Sequence, residues 1–125
     1  YTALAQLMAL GGIATLTYDK RGVGASGGRY EGEHNVGRDN LLRLGADAAA
    51  AMAKLRGVPD LHQLPRGYVG ISQAGWVIPF ALAGGSTVDF VGFWSGPACT
   101  VSEQLAFQKF AESRGFDRAR MAELE

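Results

Sequence analysis

The order of elements read along the chain predicts an α/β protein built on a parallel sheet. Three observations carry this reading. Short β-rich apolar runs alternate with longer stretches at helical spacing, the joins between them are glycine-rich, and the intervals between runs are long enough for crossover helices.

The first element, residues 2–10 (TALAQLMAL), is rich in helix formers, and Gly11-Gly12 ends it as a helix C-cap would. Residues 13–18 (IATLTY) are short, apolar and β-branched, so a buried strand is expected there. Residues 19–37 form a long loop dominated by glycine and charge. A helix is expected over residues 38–55, with Leu41, Leu44, Ala48 and Met52 on one stripe, ended by Gly57-Val58-Pro59-Asp60. Two further strands are expected at residues 67–71 (GYVGI) and 88–94 (VDFVGFW). Between them residues 73–83 read as a helix interrupted by Pro79, which removes one helical hydrogen bond. Residues 101–114 read as an amphipathic helix carrying Leu105, Phe107 and Phe110, with more helix from residue 117 onward. Three strands are too few for a complete sheet of this kind, and no strand follows the last helix. The expectation is therefore an incomplete domain, an internal piece of a longer chain that starts at Tyr1 without an initiator methionine.

Composition narrows the function classes. An apolar content of 47% with 19% charged residues is that of an ordinary globular protein, which argues against disorder. Twelve basic residues balance twelve acidic ones, so no field favours nucleic acid or an anionic membrane. Cys99 is the single cysteine, which excludes an internal disulfide and disfavours a cysteine-based metal site. No apolar run reaches the roughly 18 residues that a bilayer span requires. The compartment is left open.

The most informative stretch is Gly70-Ile71-Ser72-Gln73-Ala74-Gly75. A nucleophile on a sharp strand-to-helix turn needs small neighbours, because the helix packs closely on the strand it follows. Gly70 and Ala74 flank Ser72 at the two positions that matter, and Gly75 relieves the next contact. Ser72 is the candidate nucleophile, and the backbone N–H of Gln73 the candidate oxyanion donor. The bland alternative is a serine that only caps the following helix. The apolar strand before it and the helix after it favour the catalytic reading.

Gly22-Val23-Gly24-Ala25-Ser26-Gly27 matches a dinucleotide fingerprint in spacing alone. That fingerprint needs the glycines at the strand end and a helix opening on the last of them. Here Asp19-Lys20-Arg21 intervene and the helix begins about ten residues late, so a nucleotide-binding oxidoreductase is disfavoured. The whole segment Tyr18-Asp19-Lys20-Arg21-Gly22-Val23-Gly24-Ala25-Ser26-Gly27-Gly28 instead resembles the Y-D-x-R-G-x-G-x-S-x-G stretch after the fourth strand of many α/β-hydrolases. One helix separates it from the Ser72 motif, as that fold requires, and Ser95-Gly96-Pro97 resembles the family as well. Closest in style are esterase and prolyl-oligopeptidase-like members with a helical cap.

The resemblance implies an incomplete parallel-sheet α/β-hydrolase fold of about three strands. Residues 1–96 would be a partial core and residues 97–125 the start of a cap. It implies a serine hydrolase acting on an ester through an acyl-enzyme on Ser72, with a peptidase, a thioesterase or a non-catalytic hydrolase-like binding domain as alternatives. The substrate would be a small-molecule ester, amide or thioester; no metal or organic cofactor and no nucleic acid is implied. Asp19 and Arg21 would hold the turn beside the site.

The family's triad continues with an acid and then a histidine, yet no histidine follows Ser72. His62 falls in a connection expected at the opposite end of the sheet. His34 lies in a loop on the catalytic side, suited to substrate contact but out of order as a base. Asp89 begins a strand, and Glu112 and Asp117 fall in the expected cap. The triad acid and base, together with a second oxyanion donor, are thus expected outside this chain. Cys99 reads as a packing residue or incidental thiol.

Overall fold

The computed structural model describes residues 2–32 and 35–113; His34, Asp117 and the helix expected from residue 117 lie outside them. Helix α1 spans Thr2–Leu10. It ends as the paired glycines predict: Gly12 adopts φ +79°, its N–H reaches Ala9 O at 3.0 Å and the Ile13 N–H reaches Met8 O at 3.0 Å. These two bonds define the glycine-capped helix end that satisfies otherwise orphaned carbonyls.

Residues 13–18 depart from expectation. They form no strand ladder, and Ile13, Leu16 and Tyr18 remain about half exposed. The strand expected at residues 13–18 is therefore absent, and the 67–71 strand pairs only with the strand at residues 90–94 among the described residues. A groove of about 590 Å³ separates residues 13–18 from the 67–71 strand, walled by Met8, Ile13, Leu16, Met52, Val69 and Ile78. Consecutive residues 12–18 and 65–71 all line it. Side chains on one sheet face would contribute only alternate residues, so the groove runs along the edges of the two segments. Without a neighbour in hydrogen-bonding reach, β-propensity alone makes no ladder.

Helix α2 spans Arg38–Arg56, and the stripe read from the sequence is its buried face: Leu41, Leu44, Ala48 and Met52 are all buried. A short 3-10 turn at Pro59–Leu61 leads to strand β1, Gly67–Ile71. Helix α3 spans Ala74–Ala83 and contributes Ile78 and Ala81 to the core. Gly45 lets α2 approach α3, since a Cβ there would lie 2.8 Å from Phe80 Cβ and 3.0 Å from Ala81 N. Pro79 sits inside α3 on an exposed position, where the helix continues past it.

Strand β2 spans Phe90–Trp94 and pairs parallel with β1, Gly67 opposite Phe90 and Ile71 opposite Trp94. It begins two residues later than expected. Asp89 clamps the entry instead: its N–H donates to Arg66 O at 2.7 Å and its Oδ2 accepts the Arg66 N–H at 2.8 Å. The described residues thus hold four α-helices and a two-stranded parallel sheet, a mixed α/β architecture. No helix among them is long and apolar enough to cross a membrane.

Helix α4, Val101–Ser113, opens on a feature legible as Thr100-Val101-Ser102-Glu103. Glu103 Oε2 accepts the Thr100 N–H at 2.8 Å and the Thr100 hydroxyl at 2.7 Å, while Thr100 Oγ1 accepts the Glu103 N–H at 3.3 Å. This is a reciprocal capping box. The bonds from Thr100 hold the Glu103 carboxyl below the usual glutamate range. A lowered pKa means that the cap is intact above the ordinary glutamate range and is lost as pH falls through the lowered value. The Thr100 amide resonance is therefore expected to titrate below a normal glutamate, and Glu103→Gln should abolish that titration.

Candidate active site

Ser72 stands between β1 and α3. Its N–H extends the hydrogen bonding of the sheet to Trp94 O at 3.1 Å, and its carbonyl accepts the Gly75 N–H at 2.9 Å, so the chain passes from sheet to helix within two residues. The turn puts Ser72 at φ +54°, in the left-handed region. For a residue with a Cβ that conformation costs about 1–2 kcal/mol, and it persists where surrounding contacts fix it. The small residues read from the sequence are those contacts. A Cβ on Gly70 would run into the Ala74 side chain, and one on Gly75 would lie 2.7 Å from Pro97 Cδ and 2.9 Å from Pro97 O.

The Ser72 side chain is exposed and its hydroxyl meets no partner among the described residues. Gln73 is the N-cap residue of α3, which begins at Ala74, one position later than the sequence places it. Neither its N–H nor that of Ala74 meets an acceptor among the described residues. Two unengaged donors at a helix N-terminus can hydrogen-bond an anionic oxygen brought beside the exposed hydroxyl.

The Gln73 side chain has a second role, which the sequence reading missed. Its Oε1 accepts from Lys20 Nζ at 2.6 Å and its Nε2 donates to Asn35 O at 2.6 Å. The same Asn35 carbonyl accepts from Nδ2 of buried Asn40, at the start of α2, at 2.7 Å. Gln73 thereby ties the turn to the loop after residue 18 and to α2. The loop reaches the site through this side-chain clasp, although the segment before it stands away from β1.

Asp19 and Arg21 shape that loop. Asp19 Oδ2 accepts the Ala25 N–H at 3.1 Å, and the Asp19 carbonyl accepts the Ser26 hydroxyl at 2.7 Å. Arg21 forms a forked pair with Asp47 of α2, Nε to Oδ2 at 2.8 Å and Nη2 to Oδ1 at 2.6 Å. The hydrogen bond to Asp47 raises the guanidinium pKa further, so Arg21 stays charged at any physiological pH. Burial, then Asp47, then Tyr68 push the Tyr18 phenol up, which keeps it neutral next to the carboxylate.

The far side of the turn is covered by the segment after β2. Pro97 lies against Gly75, and Trp76 Nε1 donates to Cys99 O at 2.8 Å. The Cys99 thiol is exposed and turned to Gln104 Oε1 at 3.7 Å. His62 and Asp89 stand at the other end of the strands: His62 Nδ1 contacts Pro59 O, and Asp89 clamps Arg66. Glu112 lies in α4. Among the described residues no group of three His, Cys, Asp or Glu side chains is placed to hold a metal ion. Ser95, at φ +52° on the end of β2, is a second residue near Ser72 that the sequence reading did not single out.

Comparisons with protein-family models, with curated proteins and with solved structures returned no match.

Proposed function

We propose that this chain carries the nucleophile turn of a serine hydrolase of the α/β-hydrolase type, acting on carboxylic esters through an acyl-enzyme on Ser72. The observation that carries the reading is Ser72 itself, an exposed hydroxyl at φ +54° with the Gln73 N–H unengaged beside it. A serine that served only as a helix cap would spend its side chain on the N–H groups of the next turn. Here the hydroxyl leaves them free. The resemblance of the Tyr18–Gly28 and Ser72 motifs to hydrolase segments adds support from an independent direction.

In this mechanism Ser72 Oγ attacks the ester carbonyl as a base removes its proton, and the carbonyl oxygen becomes an oxyanion facing the Gln73 N–H. Collapse expels the alcohol; water then attacks the acyl-enzyme and regenerates the serine. The base and its orienting acid come from outside the described residues, since His62 is at the wrong end of the strands. The test is covalent. A fluorophosphonate should phosphonylate the full-length natural polypeptide, and peptide mass spectrometry should place the adduct on Ser72. Labelling elsewhere, or none in a folded protein, would favour a hydrolase-like binding domain without catalysis.

A further inference from the structure

Ser95 is strained without a role in the mechanism above. It follows the last residue of β2 and adopts φ +52°, nearly the value of Ser72. Among the described residues these two are the only ones other than glycine with positive φ. The ladder ends at Ile71 opposite Trp94, so Ser72 and Ser95 each follow the last residue of neighbouring strands, and the Ser72 N–H donates to Trp94 O at 3.1 Å. Ser95 is exposed, and its hydroxyl has no partner among the described residues.

A purely structural origin would lie in Gly96-Pro97, which turn the chain back onto the start of α3: a Cβ on Gly96 would lie 3.4 Å from Ser72 O and from Gly75 Cα. That turn explains the positive φ but not a serine there, since glycine takes this conformation without strain. We propose that Ser95 is a substrate-binding residue, whose hydroxyl hydrogen-bonds a polar group that the substrate carries next to its scissile carbonyl. This inference rests on the serine-hydrolase reading and adds specificity to it. The favoured substrate is an ester with a hydroxyl or amide beside the carbonyl rather than a plain aliphatic one.

The experiment compares p-nitrophenyl hydroxyacetate with p-nitrophenyl acetate in the full-length natural polypeptide and three variants. Ser95→Gly removes the hydroxyl while relieving the backbone. It should lower kcat/KM for the hydroxyacetate about tenfold, the effect of one neutral hydrogen bond, mostly through KM. Acetate turnover, melting temperature and the rate of fluorophosphonate labelling should stay as they were. Ser95→Asn, which keeps a polar group and tolerates positive φ, should recover part of the preference. Ser72→Ala should lose turnover of both esters. If Ser95→Gly leaves the hydroxyacetate preference intact, or slows labelling of Ser72 and both esters equally, Ser95 is structural and the inference falls. Continued turnover by Ser72→Ala would instead overturn the hydrolase reading itself.

Discussion

Ser72→Ala is expected to reduce ester turnover by about 10⁴- to 10⁶-fold, the range seen when the nucleophile of a serine triad is removed. KM should change little, because the Gln73 N–H and the walls of the site survive the substitution. The fold should survive too. Alanine at φ +54° carries the same Cβ cost as serine, and the hydroxyl that is lost makes no contact among the described residues. Melting temperatures within about 2 °C of each other would therefore separate lost chemistry from lost structure. On the proposed mechanism, with the base outside these residues, residues 1–125 expressed alone should show only residual activity. Full turnover by that polypeptide would place the base within it and make His34 the leading candidate. Undiminished turnover by Ser72→Ala would end the nucleophile assignment.

The largest effect on stability is expected from Gly45→Leu. Glycine inside a helix ordinarily lowers its stability by about 1 kcal/mol relative to alanine, so its presence midway along α2 requires a reason. The reason is contact. The backbone of α3 at Phe80 and Ala81 lies where a side chain on residue 45 would be. Alanine would regain helix propensity, but its Cβ would lie 2.8 Å from Phe80 Cβ, so α2 and α3 must already shift apart and the variant loses stability, though less than with leucine. Leucine cannot fit without separating α2 from α3, and overpacking of this kind costs about 3 kcal/mol or more. Urea denaturation should show a loss of unfolding free energy of that size for Gly45→Leu and a smaller loss in the same direction for Gly45→Ala. Equal stability of the leucine variant would mean that α2 and α3 are not packed as described.

Several elements were legible because their causes are local. The α1 stop follows from Gly11-Gly12, and the stripe of Leu41, Leu44, Ala48 and Met52 follows from helical geometry. The Ser72 turn follows from small residues two positions either side. The capping box at Thr100 and Glu103 was equally local, and the sequence spacing could have revealed it. Residues 13–18 failed for a different reason. Their composition favours a strand, but a strand exists only where a partner edge stands within hydrogen-bonding reach, and a groove takes that place here.

By itself the sequence determined the two parallel strands, the helices that flank them, and the serine at the turn between β1 and α3. Each of these rests on residues within one element or one turn, where side-chain size and periodicity act directly on the backbone. Only the tertiary structure decided that the Gln73 side chain holds Lys20 and Asn35, from segments 53 and 38 positions away. It alone brought Ser95 to the strand end next to that of Ser72, because strand register depends on how two distant segments pair. Spacing along the chain carries no record of which edges meet; the packing of α2 on α3 and of β1 on β2 decides that.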